Sequence, residues 1–139
     1  MKDQGFTLVE NLLVLAIIGI LATTAIPNYQ SFVRQSRNLV AASDYRNVKT
    51  GLLALIAQPG SPDTIVIART RGPAKLPAPL NAITISADTE ATVSYQARLT
   101  RTAQPATTTR ITVQNLRGNK IYSYSEVNRV VTEQEIDLP

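Results

Sequence analysis

The chain has 139 residues, with 14 lysine and arginine residues against 10 aspartate and glutamate residues, which gives a net charge of +4. It contains neither cysteine nor histidine, which excludes disulfides, thiolate metal sites and the commonest general base near neutral pH. This length suits one domain with a modest core. The basic residues are scattered along the chain, which favours a solvated surface over a nucleic-acid site.

An apolar stretch occupies residues 6–26, close to the start of the chain. Its polar residues are Thr7, Glu10, Asn11, Thr23 and Thr24. A helix of this length spans roughly 31 Å, which is close to the hydrocarbon thickness of a bilayer. The stretch therefore predicts a helix that can cross a membrane once.

Three ordinary explanations compete for this stretch: a secretory signal peptide, a simple membrane anchor and a buried core helix. In the short leader Asp3 offsets Lys2, and no convincing small-residue cleavage site precedes Pro27, so signal cleavage fits poorly. No later segment has enough apolar surface to cover a helix that is hydrophobic on all sides. A simple anchor fits the length but leaves Glu10 unexplained, because a charge within a membrane segment is costly and usually marks function.

The start of the chain resembles the amino terminus of type IV pilins and pseudopilins. The resemblance rests on GFTLVE at residues 5–10, the aliphatic run that follows, its internal glycine, and IPNY at residues 26–29. It covers about the first fifth of the chain, and its parts fall in register with one another.

The resemblance implies a role for several residues of this stretch. A membrane aspartyl peptidase is expected to cut between Gly5 and Phe6, and the new amino terminus at Phe6 is expected to be N-methylated. The amine of Phe6 would then pair with the Glu10 carboxylate of a neighbouring subunit during filament assembly, because each charge is costly alone in an apolar setting. Gly19 and Pro27 are expected to bend or unwind the helix between them.

The resemblance also implies partners and a location. The expected partners are further copies of the chain in a helical filament, the prepilin peptidase, and an inner-membrane assembly platform with its ATPases. The precursor is expected to sit in the inner membrane as a single-pass protein before it joins an extracellular pilus on a bacterial surface. No cofactor, metal or specific nucleic acid is expected.

Beyond Pro27 the pattern predicts an α+β fold, in which a long helix packs on an antiparallel sheet of three or four strands. The apolar stripe predicted for the second half of the helix is Val33, Val40, Ala41, Val48, Leu52, Leu55 and Ile56. Alternation at Val93, Tyr95, Ala97 and Leu99, and again at Ile111 and Val113, indicates strands. The expected organisation is a leader (1–5), a membrane and filament-core helix (6–27) and a head (28–139). The head is expected to consist of the amphipathic helix half (28–57), a connection holding at most one short strand (58–82) and the sheet (83–139).

The absence of histidine and cysteine, together with the resemblance to type IV pilins and pseudopilins, predicts a structural protein rather than an enzyme. Carboxylates cluster at residues 88–90 and 133–137, but without the spacing of a calcium loop they are expected to be solvated. The favoured function is a subunit of a type IV pilus, and the alternatives are a pseudopilin of a type II secretion system and a membrane-anchored binding module. Adhesion, twitching motility, DNA uptake and electron transfer remain open as uses of such a filament.

Overall fold

The structure, a computed structural model, describes residues 7–99 and 105–138. The chain divides into two compact units, Met1–Val33 and Arg34–Pro139. We call the second of these the head unit. Within the described residues the elements in chain order are α1 (Leu8–Ile56), β1 (Thr64–Arg71), β2 (Ala74–Lys75), β3 (Thr84–Ile85), β4 (Thr89–Leu99), β5 (Pro105–Asn115), β6 (Lys120–Val127) and β7 (Val130–Asp137).

The strands confirm the α+β class that the sequence predicts. Over the described part of the chain, one sheet has the order β1-β4-β5-β6-β7 with every neighbouring pair antiparallel, and β2 and β3 form a separate pair. The main sheet thus has five strands, where the sequence indicated three or four. The first of them, β1, lies in the stretch expected to be mostly a connection, because prolines and glycines on either side conceal its alternation.

The core of the head unit lies between one face of α1 and the inner face of the sheet. From α1, Ala41, Val48 and Leu52 are fully buried. The sheet contributes Ile65, Ile67, Ala91, Val93, Tyr95, Ile111, Val113 and Tyr124. The alternation expected at Val93, Tyr95, Ile111 and Val113 is confirmed, since these side chains all point into the core.

The buried face of α1 differs from the apolar stripe predicted for it at three positions. Val40 is exposed, whereas the polar residues Asn38 and Asp44 are buried beside Ala41. The two polar side chains are buried because each meets a partner from a distant part of the chain, and an apolar pattern cannot show such partners. Asp44 accepts hydrogen bonds from the backbone N–H of Ser86 at 2.9 Å and from its hydroxyl at 3.0 Å.

Asn38 docks the turn between β5 and β6 onto α1. Its Nδ2 donates to Oδ1 of Asn119 at 2.8 Å, and its Oδ1 accepts from the backbone N–H of Asn119 at 3.1 Å. Gly118 lies against the same side chain, and a Cβ at this position would collide with Asn38 Oδ1. A side chain at position 118 would therefore force the Asn38 amide, and the hydrogen bonds that it makes with Asn119, to shift.

The edge strand β7 is tied to α1 through Glu133. The hydroxyl of Tyr45 donates to Glu133 Oε1 at 2.7 Å, and the ammonium of Lys49 forms an ion pair with the same oxygen. Tyr45 also stacks on Tyr122 with ring centroids 6.0 Å apart. Burial and the hydrogen bond to Glu133 raise the pKa of the Tyr45 phenol, while the Lys49 and Tyr45 donors lower the pKa of Glu133.

We expect the attachment of β7 to weaken in acid. Because the folded state lowers the pKa of Glu133, this carboxylate stabilises the fold above its ordinary pKa of 4.5 and loses that contribution as the pH falls through the folded value. The Glu133 side chain is about half exposed, so the contribution is at most about 1 kcal/mol. The measurement is the thermal unfolding midpoint between pH 7 and pH 3. This midpoint should fall less in Glu133→Gln than in the unmodified chain, because the variant has no carboxylate to lose at this position. Parallel pH curves for the two proteins would contradict this.

A two-residue turn joins β6 to β7, and both of its residues have positive φ. Asn128 has φ 51° and Arg129 has φ 69°, between the paired residues Val127 and Val130. This is the pattern of a type I′ turn, in which glycine is preferred at the second position because a Cβ is unfavourable there.

We expect Arg129→Gly to stabilise the head unit by about 0.5–1 kcal/mol. Glycine removes the strain energy of a non-glycine residue in the left-handed region. This gain is partly offset because glycine has more conformational entropy in the unfolded chain. The thermal unfolding midpoint measures the gain. Arg129→Ala is the matched control, since it removes the same side chain but keeps a Cβ. An equal rise in both variants would show that loss of the charge, rather than the turn geometry, is responsible.

Candidate functional site: the amino-terminal helical segment

Helix α1 begins with a capping arrangement that includes Glu10. Thr7 precedes the helix, and its Oγ1 accepts a hydrogen bond from the backbone N–H of Glu10 at 3.3 Å, while its carbonyl accepts from the N–H of Asn11 at 3.2 Å. A threonine followed three residues later by a glutamate is the signature of a capping box. Thr7-x-x-Glu10 is thus a local signal for the start of this helix that the apolar pattern alone does not provide. Glu10 is also favourably placed for the positive end of the helix dipole.

The predicted cleavage and methylation residues, Gly5 and Phe6, lie outside the described residues. The predicted pairing of Glu10 with the Phe6 amine of a neighbour is therefore still a prediction. Among the described residues, the structure records no ion pair for Glu10. Its side chain is exposed on the first turns of the helix.

The apolar residues of this segment form a large exposed surface. Eleven of their side chains have exposed fractions between 44% and 74%: Leu8, Val9, Leu12, Leu13, Val14, Leu15, Ile17, Ile18, Ile20, Leu21 and Ile26. Over the part of the chain that the structure describes, α1 is the one helix that is long and apolar enough to cross a membrane. Exposed apolar surface on this scale is typical of a membrane or protein contact site.

The two residues predicted to bend or unwind the helix, Gly19 and Pro27, lie within α1. A Cβ built at Gly19 meets no atom within 4 Å, so no contact within the described chain requires a glycine there. Pro27 has no backbone N–H, and the carbonyl of Thr23 consequently loses its usual helical partner. The Thr23 hydroxyl donates to the carbonyl of Ile20 at 2.7 Å, and that of Thr24 donates to Leu21 at 3.0 Å. Hydrogen bonds from a side-chain hydroxyl to a carbonyl in the preceding helical turn are associated with helix bending. Bending or unwinding between Gly19 and Pro27 stays a prediction.

We expect Gly19→Ala to stabilise the isolated helix by roughly 1 kcal/mol, since alanine has the higher helix propensity and its methyl group has room. If the helix packs closely or unwinds at Gly19 in an assembly, the same change should lower assembly. Hydrogen exchange in detergent measures the first effect, and the amount of sheared surface filament measures the second. Ala16→Gly, a reverse change on the same helix, is the control for propensity alone. Unchanged filament yield in Gly19→Ala would remove any assembly role for Gly19.

The capped, apolar segment matches known proteins. Residues 1–26 match the family described as the prokaryotic N-terminal methylation motif. The amino-terminal segment is also similar to those of fimbrial proteins and of a type IV pilin. A fimbrial protein of Pseudomonas aeruginosa is 44% identical over 59 residues, which is 42% of this chain and 38% of the relative. The type IV major fimbrial protein FimA of Dichelobacter nodosus is 43% identical over 50 residues, covering 36% of this chain and 32% of the relative.

A type IV major alpha-pilin of Moraxella bovis is 37% identical over 60 residues, covering 43% of this chain and 38% of the relative. The chain thus spans less than two fifths of the length of each of these three relatives. No solved structure matches it. The similarity to type IV pilins is therefore a property of the amino-terminal segment, and the long helix on an antiparallel sheet is established by the structure itself.

Proposed function

We propose that the chain is a structural subunit of a type IV pilus, which assembles through its amino-terminal helix into an extracellular filament. The observation that supports this most directly is an exposed apolar helical segment with one carboxylate, Glu10, in its first turns, within a matched N-terminal methylation motif. Monomeric proteins in water rarely expose a contiguous apolar surface of this size. A bilayer covers it before assembly and neighbouring helices cover it afterwards.

In this proposal a prepilin peptidase cuts after Gly5 and the new terminal amine of Phe6 is methylated. The subunit waits in the inner membrane, and an assembly platform with its cytoplasmic ATPases moves it into the filament. The Phe6 amine of the incoming subunit pairs with Glu10 of its neighbour and sets the axial register of the helices. Burial of the apolar side chains supplies most of the free energy of assembly.

The proposed role is structural rather than catalytic. The chain has no histidine and no cysteine, and within the described residues no group of acidic side chains is arranged to hold a metal ion. The relatives are named as fimbrial proteins and a pilin. These names support a pilus subunit. A pseudopilin of a secretion system, which would have the same amino-terminal motif, is the alternative that the experiment below separates from it.

The test combines the native amino terminus with the form of the polymer. The chain is expressed in a bacterium that has a type IV pilus system but lacks its own major pilin, and surface fibres are sheared off. Mass spectrometry should find a polypeptide that begins with methylated Phe6, and electron microscopy should show long fibres that an antibody to the head unit labels. A chain that keeps its initiator methionine would overturn the proposal. Processing at Phe6 without surface fibres would instead favour the pseudopilin.

A further inference from the structure

Three arginines from distant parts of the sequence meet at one end of the head unit. Arg71, at the end of β1, places its Nη2 3.7 Å from one carboxylate oxygen of Asp88. Arg117, in the turn between β5 and β6, places its Nε 3.2 Å from the other. On α1, Arg37 donates from Nη1 to the backbone carbonyl of Arg117 at 3.4 Å. We call Arg37, Arg71 and Arg117, together with Arg34 one helical turn before Arg37, the arginine rim.

The arginine rim has more positive charge than its own carboxylate neutralises. Arg71 and Arg117 share a single acid, Asp88, and their side chains are 62% and 63% exposed. Among the described residues, Arg34 and Arg37 form no ion pair with an acid. Lys120, three positions after Arg117, pairs with Glu135 and Asp137. This group of one ammonium and two carboxylates has a net charge of −1. The end of the head unit as a whole therefore remains positive.

The rim also keeps unused hydrogen-bond donors. A guanidinium has five N–H donors in a planar fork, and Asp88 occupies only a few of those on Arg71 and Arg117. Paired guanidinium groups with remaining donors suit phosphate, which accepts several hydrogen bonds at once. The Asp88 pairs hold the two side chains side by side and so reduce the entropy lost when an anion binds.

The position of Arg34 and Arg37 in the chain points to a partner for the rim. The chain enters the head unit at Arg34, and the segment before it is the apolar helix. Arg34 and Arg37 follow Ile26 by eight and eleven positions of α1, which is about 12 Å and about 17 Å of helix. The headgroup layer on each side of the hydrocarbon is about 5–8 Å thick, and long arginine side chains reach toward it. In a membrane-inserted subunit, the short chain distance consequently keeps the rim tethered within reach of lipid phosphates.

We propose that the arginine rim binds the phosphates of anionic phospholipids while the subunit waits in the membrane, and so fixes the head unit against the bilayer before assembly. This inference rests on the membrane insertion that belongs to the proposed function. It does not depend on the filament. Removal into a filament then requires these lipid contacts to be released, which links the lipid charge of the membrane to the ease of assembly.

The test uses the full chain in nanodiscs of neutral phosphatidylcholine, or of the same lipid with 30 mol% phosphatidylglycerol as a roughly physiological anionic fraction. Amide hydrogen exchange is followed by mass spectrometry. Anionic lipid should slow amide exchange at residues 115–119, 71 and 72 by about threefold or more, because bound lipid suppresses local opening. Exchange at the β6–β7 turn should not change. Added salt at about 0.5 M should reverse the protection, since it screens exposed charges.

The double variant Arg71→Gln with Arg117→Gln should lose this protection. The matched control is Arg110→Gln with Arg129→Gln, which removes the same charge from the outer sheet face and the β6–β7 turn and should keep it. Thermal unfolding midpoints establish that both variants are folded. Inorganic phosphate at about 10 mM is added to neutral nanodiscs as a further arm, because free phosphate offers the same hydrogen-bond acceptors.

Equal exchange in neutral and anionic nanodiscs would overturn the inference, as would equal loss of protection in the two double variants. Protection by inorganic phosphate alone would also overturn it, since the partner would then be a soluble anion. Failure of the chain to insert into any nanodisc would instead contradict the membrane helix of the proposed function. The two failures are thus distinguishable.

Discussion

Replacing Glu10 by glutamine is expected to reduce filament yield by about tenfold or more, while insertion and cleavage at Gly5 continue. In the proposed filament, the Glu10 carboxylate pairs with the terminal amine of a neighbouring Phe6 in an apolar bundle. Removing one member of a buried ion pair costs about 3–5 kcal/mol, and each 1.4 kcal/mol is a factor of ten in an equilibrium. The measurement is the amount of sheared surface filament relative to membrane-bound, processed subunit.

The structure allows the charge of Glu10 to be separated from its place in the helix cap. Glutamine also serves in a capping box, so Glu10→Gln removes the charge and keeps the cap, and Glu10→Ala should assemble equally poorly. Thr7→Ala removes the hydroxyl that accepts from the N–H of Glu10 and is expected to cost only about 1 kcal/mol of helix stability. If Glu10→Gln assembles normally and Thr7→Ala does not, Glu10 acts through the cap rather than through an intermolecular ion pair.

Asp44→Ala should destabilise the head unit more than the loss of Glu133 does. Asp44 is 3% exposed and accepts two hydrogen bonds from Ser86. Alanine leaves the backbone N–H and the hydroxyl of Ser86 without this acceptor in a largely buried setting. The expected cost is about 2–4 kcal/mol, which corresponds to a fall of roughly 10 °C or more in the unfolding midpoint of a domain of this size.

Tyrosine fluorescence of the full chain in mild detergent is a suitable probe of this change, because the chain has five tyrosines and no tryptophan. Asp137→Ala is the matched control, since the Asp137 side chain is 73% exposed and its removal should shift stability by no more than about 0.5 kcal/mol. Asp44→Asn keeps one acceptor oxygen and should fall between the two. Equal midpoints for Asp44→Ala and Asp137→Ala would show that the contact with Ser86 contributes nothing to folding.

The sequence by itself determined the features that depend on local composition and periodicity. A mostly apolar run of membrane-spanning length marks the first half of α1, and the matched motif covers residues 1–26. Alternation along the chain predicted β4 and β5 because most of the side chains on their inner faces are apolar and buried. Both patterns report burial directly, since a side chain that leaves water for an apolar environment is selected to be apolar.

Only the tertiary structure decided which polar side chains are buried and which charges meet. Asn38 and Asp44 occupy the buried face of α1 because Asn119 and Ser86, 81 and 42 positions away, supply their hydrogen bonds. Arg37, Arg71 and Arg117 form one surface only when α1, β1 and the β5–β6 turn are brought together. These hydrogen bonds and ion pairs depend on partners that are distant in the chain, so no local sequence pattern records them. The apolar character of a buried side chain is different, because it does not depend on which neighbour covers it.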